Sequence, residues 1–397
     1  MPLTIEQMRW IDNYSGKPIC YLWELYAWAK KLLFKEKKKS IKKILFTKFL
    51  GMGSIVQATP LIRSVKQNYP EAKLIFLTFV DNKELIKSLG LIDEVMSIRT
   101  DNLLNFLVDV FGSLYHLREE KIDSVLNLEF FSKFGAIISF LSGARLTVGY
   151  YLKEPWRTHL ISHKVYYNHY KHISEIFMAM GNAIEASSTD LSLEKPIIPS
   201  EERRYIDHCF EEHSITNHHW KVVVNINTSG LSLNRSWSLT NFSTLIEKMI
   251  NAYGAHIILI GGKKDIPRVG EVVASFSNNQ KVVNLAGKTR ITQLLALMEQ
   301  VDLVITNDSG PLHLAVMMGT PTISFFGPES PLQYGPQGGN HTILYKGYYC
   351  SPCLHVYNEK NSRCKDNICL KDISVDEVFE VVTHYYREWE QISNKKI

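Results

Sequence analysis

The feature that most constrains the fold is a repeated alternation of short apolar runs with glycine turns and helical patterns. Each run spans about four to eight residues and is predominantly apolar, as is typical of strands buried on both faces. The runs are 43–49, 73–80, 124–128 and 146–149 in the first half, and 221–226, 256–260, 282–285, 301–306 and 322–326 in the second. Because helical patterns stand between them, the sequence predicts two α/β units in tandem, each with a doubly wound parallel sheet.

The chain length supports this division. With 397 residues, the chain is too long for one compact core and long enough for two domains. Pro196 and Pro199 interrupt the pattern between the two series, and we expect the connection there. We predict a basic amphipathic helix at 1–40, a Rossmann-like domain at 41–195 and a second one at 196–397. Ligands of such sheets bind beyond the carboxyl ends of the strands.

The N-terminal segment accounts for the net charge of +5. Glu36 is the one acidic residue within a lysine run made of Lys30, Lys31, Lys35, Lys37, Lys38, Lys39, Lys42 and Lys43. Apolar residues recur at helical spacing beside it, at Leu22, Leu25, Tyr26, Ala29, Leu32 and Leu33. One interpretation is contact with an anionic membrane surface through residues 18–43. The other is a helix that packs on the domain and leaves its lysines in solvent.

Charges interrupt this apolar segment and follow it rather than precede it. It therefore fits neither a transmembrane span nor a secretory signal. The basic charge is mild and local, which argues against a nucleic-acid partner. We expect a cytoplasmic protein.

The segment 304–328 places a strand, a cap and a helix one after another. Pro311 suits the first helical position, where its missing N–H has no consequence. With Ser309 and Gly310 as cap residues, free amides of the first turn would point past the strand end and favour an anion such as a diphosphate. His313 is placed to add a donor. The alternative is a well-capped helix with a buried histidine.

This segment resembles the signature of glycosyltransferase family 9, the ADP-heptose:lipopolysaccharide heptosyltransferases. The resemblance covers about residues 41 to 385 and is carried by Gly51-Met-Gly-Ser54, Leu141-Ser-Gly-Ala-Arg145, Asn227-Thr-Ser-Gly230, Arg235-Ser-Trp237, Asn284-Leu-Ala-Gly-Lys-Thr289, Asn307-Asp-Ser-Gly-Pro-Leu-His-Leu-Ala315 and Phe326-Gly-Pro328.

The resemblance implies a GT-B fold, with two Rossmann-like domains facing each other across a cleft. It also implies inverting sugar transfer without a catalytic metal, with heptose as one candidate sugar. The donor would be a nucleotide sugar, preferably an ADP-sugar, and the acceptor a glycan or glycolipid at the inner face of the bacterial cytoplasmic membrane. The predicted donor-binding residues are Thr228, Ser229, Gly261, Gly262, Asp308, Ser309, Gly310 and His313. The predicted acceptor-side loop contains Gly51, Gly53 and Ser54.

Glycosyl transfer needs positive charge for the leaving diphosphate and a base for the acceptor hydroxyl. Arg235 aligns with a family lysine thought to meet the phosphates, and its guanidinium suits phosphate oxygens. Ser54 stands where many members carry an aspartate base, and a hydroxyl is too weak a base to replace it. Glu129 follows a predicted strand, so we predict that it is the base, with Asp81 as the alternative.

Four of the six cysteines are close in sequence, in a loop at 350–369, at Cys350, Cys353, Cys364 and Cys369. The Cys-x-x-Cys start and a reducing compartment favour a tetrahedral thiolate site for a structural zinc or iron over disulfides. Four reduced thiols in an ordered loop are the alternative.

Two other functions stay open on the sequence. Ser54 suits a non-catalytic nucleotide-sugar binding protein, and the GT-B architecture also serves nucleotide-sugar epimerases. Release of nucleoside diphosphate that depends on an acceptor distinguishes a transferase from both.

Overall fold

The computed structural model describes residues 4–33, 40–151, 159–228, 235–358, 360, 362 and 364–394. The chain divides into two compact units, Met1–Glu194 and Lys195–Ile397. The division lies one residue before the boundary expected from the sequence, and the N-terminal helical segment belongs to the first unit.

A parallel sheet forms the centre of the first unit. Its six strands are β1 (Lys43–Thr47), β2 (Lys73–Phe79), β3 (Glu94–Ile98), β4 (Ser124–Asn127), β5 (Leu146–Tyr151) and β6 (His163–Tyr166). They are ordered β3-β2-β1-β4-β5-β6, and all neighbours run parallel. The winding direction reverses between β1 and β4, where Thr47 lies opposite Asn127. Burial on both faces explains the unbroken apolar runs of the central strands.

Helices cover this sheet. Those of the first unit are α1 (Ile5–Tyr14), α2 (Gly16–Leu33), α3 (Met52–Gln57), α4 (Thr59–Asn68), α5 (Lys83–Ser88), α6 (Leu103–Glu120), α7 (Lys133–Leu141) and α8 (Ile173–Met178). Met8 of α1, Val110 of α6 and Ile138 of α7 join one apolar cluster with Leu45 of the sheet. These three helices therefore lie on the same face of the sheet. The remaining N-terminal helix, α2, packs on α7.

The second unit repeats this topology. Its strands are β7 (Lys221–Asn225), β8 (His256–Leu259), β9 (Val282–Asn284), β10 (Leu303–Asn307), β11 (Thr322–Phe325) and β12 (His341–Leu344). Their order is β12-β11-β10-β7-β8-β9, again with every neighbour parallel. The winding direction reverses between β7 and β10. In open α/β sheets this switch point is where ligands bind.

The helices of the second unit enclose an aromatic core. They are α9 (Ser200–Glu212), α10 (Leu239–Tyr253), α11 (Ile266–Ala274), α12 (Ile291–Gln300), α13 (Gly310–Met318), α14 (Pro331–Tyr334), α15 (Ile368–Lys371) and α16 (Val375–Asn394). Trp237 stacks on Phe325 at a centroid distance of 4.6 Å and meets Phe242 edge-on. Its indole N–H donates to the carbonyl of Ile373.

The structure differs from the sequence-based expectation in several places, and the edge strands β3 and β12 lie outside every predicted run. The helical pattern that follows Gly53 is split into α3 and α4, because Ala58 closes α3 and Pro60 lies in the first turn of α4. The stretch 151–220, which contains none of the predicted apolar runs, holds β6, α8 and α9 in its described parts. A further helix, α1, precedes the N-terminal helix that the lysine run indicated. None of the helices in the described part of the chain combines the length and the apolar character needed to span a bilayer.

Candidate functional site

The switch point of the second sheet is lined by buried polar side chains. Asn225, the last residue of β7, donates its amide to Thr306 Oγ1 (3.0 Å) and to Ser309 Oγ (2.9 Å). Asn307, the last residue of β10, donates to the carbonyl of Ile226 (3.1 Å). These bonds tie the loops that follow β7 and β10 to each other.

The N-terminus of α13 lies at this switch point, and α13 follows β10 as the pattern of strand, cap and helix predicted. Ser309 is the N-cap by backbone geometry, but its hydroxyl bonds to Asn225 and makes no capping bond to α13. Pro311 occupies the first turn, and Gly319, with φ 80°, ends the nine-residue helix. The amide of Leu312 reaches the carbonyl of Ser309 at 3.2 Å. The first turn thus lacks a side-chain cap, which leaves its positive end available to an anion.

Arg235 and Asp308 form a buried ion pair at the same place. One terminal nitrogen of Arg235 lies 2.5 Å from Asp308 Oδ2 and 2.8 Å from the Asp308 carbonyl oxygen. Both side chains are at least nine-tenths buried. Burial alone would lower the pKa of Arg235, but the negative charges of Asp308 and Glu329 raise it above its usual value. The guanidinium therefore fixes the residue that precedes the α13 cap.

The segment around Arg235 is also anchored to β10. The amide of Trp237 donates to Asn307 Oδ1 at 2.9 Å. Sequence reasoning missed Asn225 and Asn307 as site residues. The available signal was an asparagine at the end of each of two fully buried strands, where an unpaired amide would be costly.

The predicted glycine turn after β8 has a packing role. A Cβ at Gly261 would lie 2.8 Å from Asn227 Nδ2 and 2.9 Å from Asp265 Cβ, so only glycine fits there. The amide of Gly262 donates to Asp265 Oδ2 at 2.8 Å, which uses it within the turn. Of the other predicted donor residues, Thr228 is half-buried three residues after β7, His313 is buried, and Ser229 lies outside the described residues.

Glu329 is a second residue that sequence reasoning missed. It follows β11 and is 1% exposed. Lys360 Nζ lies 2.8 Å from its Oε1. Its Oε2 is buried and meets no hydrogen-bond donor in the part of the chain that the structure describes. A buried carboxylate oxygen without a donor is suited to accept a hydrogen bond from a ligand hydroxyl group.

In the first unit, Glu129 stands at the switch point between β1 and β4. Its Oε1 accepts the amides of Phe49 (2.6 Å) and Leu50 (3.0 Å), and its Oε2 lies 3.0 Å from Lys48 Nζ. Glu129 and Lys48 are both buried. Three donors occupy this carboxylate, an arrangement that favours a structural role over the predicted role of base.

The other acceptor-side residues are differently placed. Gly51, with φ 86°, is the N-cap of α3, and the amide of Ser54 donates to its carbonyl at 2.9 Å. Gly53 is buried and Ser54 half-buried. Asp81 is exposed in a short 3-10 turn directly after β2. Its carboxylate is therefore accessible, unlike that of Glu129.

Asp12 of α1 also reaches this region, and nothing in the sequence indicated it. Its carboxylate accepts the amides of Lys133 (3.1 Å) and Phe134 (2.6 Å) at the start of α7. Burial raises the pKa of Asp12, the two amides oppose that effect, and the charge of Glu129 adds to it. Asp12 therefore adds to the cap that Ser132 provides at the N-terminus of α7, a helix distant in sequence.

The four clustered cysteines differ in exposure. Cys369 is buried, Cys353 and Cys364 are half-buried, and Cys350 is exposed. Burial raises the pKa of the Cys369 thiol to about 11, with further contributions from the charges of Cys353, Cys350 and Cys364. In the described residues, three or more metal-ligand atoms lie within 4.8 Å of one another only at Glu94, His116 and Glu120. That group is an ion-pair cluster in which Lys73 contacts both carboxylates.

Known proteins share both the sequence pattern and the fold. Residues 114–362 match the profile of Glycosyltransferase family 9 (heptosyltransferase). Lipopolysaccharide heptosyltransferase 3 of Escherichia coli is 26% identical over 324 residues, which are 75% of this chain and 87% of that protein.

Two solved structures illustrate the likeness in fold. A family 9 glycosyl transferase from Veillonella parvula gives a TM-score of 0.74 at 20% identity, covering 87% of this chain and 97% of that one. The structure of Escherichia coli heptosyltransferase WaaC with ADP-2-deoxy-2-fluoro heptose gives a TM-score of 0.62 at 14% identity. The match covers 86% of this chain and 99% of that one.

Two doubly wound parallel units in tandem give the chain a fold of the GT-B type. The chain belongs to glycosyltransferase family 9, the heptosyltransferases. The predicted cleft between the two units stays a prediction.

Proposed function

We propose that this enzyme transfers a heptose from an ADP-heptose donor to a lipopolysaccharide-type acceptor, and that the donor diphosphate binds at the N-terminus of α13. One observation carries the proposal. The Ser309 hydroxyl accepts a hydrogen bond from Asn225 of β7 and makes no capping bond, so the first turn of α13 has no side-chain cap. Family membership supports a transferase over a non-catalytic binding protein or an epimerase.

In the proposed reaction, an acceptor hydroxyl oxygen attacks the anomeric carbon while the bond from that carbon to the diphosphate oxygen breaks. The stereochemistry at the anomeric carbon inverts, ADP leaves, and the hydroxyl proton passes to a base. Amides of the α13 first turn and the guanidinium of Arg235 stabilise the charge on the leaving ADP, so no metal is required. Asp308 holds Arg235 in position. We propose that Glu329 Oε2 accepts a hydrogen bond from a hydroxyl group of the heptose in the donor substrate.

For the base we favour Asp81 over Glu129. A general base needs a lone pair within reach of the hydroxyl proton. Glu129 already accepts from two backbone amides and faces Lys48, whereas the Asp81 carboxylate is exposed at the end of a strand next to β1. Ser54 stays in the acceptor-side loop as a hydrogen-bonding group.

The test is release of ADP from ADP-heptose with and without a heptose-accepting lipopolysaccharide precursor. We expect release that depends on the acceptor. Gly310→Val is expected to weaken donor binding, measured by calorimetry, because its branched side chain crowds the approach to the first-turn amides. Gly270→Val in α11, where a Cβ meets nothing within 4 Å, is the matched control. Donor affinity that is equal in both variants would move the diphosphate away from α13.

We further propose that Cys350, Cys353, Cys364 and Cys369 hold a structural zinc or iron. Four thiols in one loop suit either metal, and a metal would keep the buried Cys369 as a thiolate despite its raised pKa. No three of these four sulfur atoms, all in described residues, lie within 4.8 Å of one another, so binding requires the loop to close.

Elemental analysis is expected to find about one metal ion per chain, as a single tetrahedral site holds one. Cys353→Ser should lose the metal and lower the melting temperature. Cys209→Ser, which alters a buried cysteine of α9 outside the loop, should keep it. If the wild-type protein contains no metal and Cys353→Ser has the same melting temperature as the wild type, the four residues are reduced thiols.

A further inference from the structure

The N-terminal helix α2 presents its apolar side outward. From Pro18 to Trp28, every exposed residue is apolar or aromatic: Pro18, Ile19, Tyr21, Leu22, Leu25, Tyr26 and Trp28. Leu22 and Leu25 are 72% and 66% exposed. Surface helices of water-soluble domains show the opposite pattern, with apolar residues against the core.

The inner side of α2 explains why the helix cannot be turned over. Cys20 and Ala27 pack against α7 there, and the acid Glu24 is buried with them. The Glu24 carboxylate accepts the amide of Leu160 at 3.1 Å and lies 2.7 Å from His159 Nδ1. These partners fix the rotation of the helix, so Leu22 and Leu25 stay in solvent.

Two other helices add to this apolar surface. From Leu103 to Tyr115, the exposed residues of α6 are Leu103, Leu104, Leu107, Val108, Phe111, Gly112 and Tyr115, and the charged Arg118 and Glu119 are exposed only in its last turn. Asp109 is the single charged residue between Leu103 and Tyr115, and Arg99 pairs with it at 2.8 Å. In α1, Trp10, Ile11 and Tyr14 are exposed. Elsewhere in the described part of the first unit, the large apolar residues exposed are Val80, Tyr166 and Tyr170.

The three helices share one side of the first unit, because α1 and α6 contribute to the same apolar cluster as α7, and α2 packs on α7. So extensive an apolar surface marks a binding face. We propose that α1, α2 and α6 form a docking surface for an anionic lipid bilayer. This inference rests on the proposed function, since a lipid-linked acceptor is presented at such a bilayer.

Charge and composition select the bilayer over a second copy of the chain. The lysine run directly follows the exposed face of α2, and one of its lysines, Lys43, pairs with Glu120. Lysines next to exposed Trp and Tyr suit anionic headgroups. Two copies joined through this face would bring two lysine runs together, which is unfavourable.

The test is co-sedimentation of the full chain with phosphatidylcholine vesicles, with or without phosphatidylglycerol. We expect binding to the anionic vesicles that weakens with salt. Leu22→Gln/Leu25→Gln and Leu104→Gln/Phe111→Gln should each lower the partition coefficient by roughly tenfold or more, because each removes two large apolar side chains from the bilayer. Tyr166→Gln, an equally exposed change on β6, and Leu332→Gln in the second unit should have no effect.

Transfer to a delipidated, soluble acceptor should be unchanged in all these variants, which separates loss of docking from loss of the proposed function. The proposal would be overturned if the wild-type protein bound neither kind of vesicle. It would also be overturned if the two double glutamine variants bound as tightly as the wild type. A wild-type dimer that the α2 and α6 variants convert to monomer would assign the surface to a second copy.

Discussion

Replacing Arg235 by methionine is expected to lower the free energy of unfolding by about 3–5 kcal/mol, the range found when one partner of a buried ion pair is removed. The reason is the remaining carboxylate. Asp308 is buried and takes its charge-assisted hydrogen bond from the guanidinium. Methionine fills similar space but leaves this anion without its counter-charge. The same change frees the Asp308 carbonyl, which Arg235 also binds, so the α13 cap should lose its position.

Urea unfolding followed by tryptophan fluorescence measures the loss, since Trp237 lies two residues from Arg235 in the core. Arg235→Met/Asp308→Asn should recover much of the stability, because neither member of this pair then carries an uncompensated charge. Arg203→Met is the matched control: its ion pair with Glu299 is partly exposed, so its loss should cost at most about 1 kcal/mol. Equal losses for Arg235→Met and Arg203→Met would contradict the assignment of Arg235 as the residue that organises the cap.

Replacing Asp81 by asparagine is expected to lower kcat by roughly 10² to 10⁴, the usual contribution of a general base, with little change in stability. Asparagine preserves size but cannot take the proton, and Asp81 is exposed, so the fold does not depend on its charge. Single-turnover measurement of heptose transfer, with donor affinity determined in parallel, checks this result.

Glu129 provides the contrast. Glu129→Gln alone should be destabilising by about 3–5 kcal/mol, because it leaves the Lys48 ammonium buried without its carboxylate. Glu129→Gln/Lys48→Met removes both charges, while glutamine still accepts an amide from Phe49 or Leu50. We expect this double variant to fold and to turn over. If it folds but is inactive while Asp81→Asn is active, Glu129 is the base, as the sequence alone first suggested.

Local sequence was sufficient to predict the central parallel strands and the ends of α13. A parallel strand is buried on both faces, so its apolar run is continuous and can be recognised without knowledge of its neighbours. The α13 cap could be predicted for the same reason, since Pro311 and Gly319 mark the two ends of the helix by backbone preference. Family membership followed from the same residues.

Tertiary structure decided which side chains meet. Arg235 pairs with Asp308 across 73 positions of sequence, and Lys48 with Glu129 across 81. Sequence spacing carries no information about such pairs, because they depend on strand order and register. The sequence places Glu129 directly after a strand, where a base is expected. In the structure its carboxylate already binds Lys48 and two backbone amides.

The orientation of α2 shows the same division. Its period predicted an amphipathic helix, but a period cannot say which side faces the protein. Buried contacts made by Glu24 with His159 and Leu160 determine that the apolar side faces outward. The sequence by itself therefore determined the central strands of both sheets, the α13 cap and the family, because these follow from local preferences. Only the tertiary structure decided the partners of the buried charges and the exposed face of α2, because both depend on contacts between residues far apart in the chain.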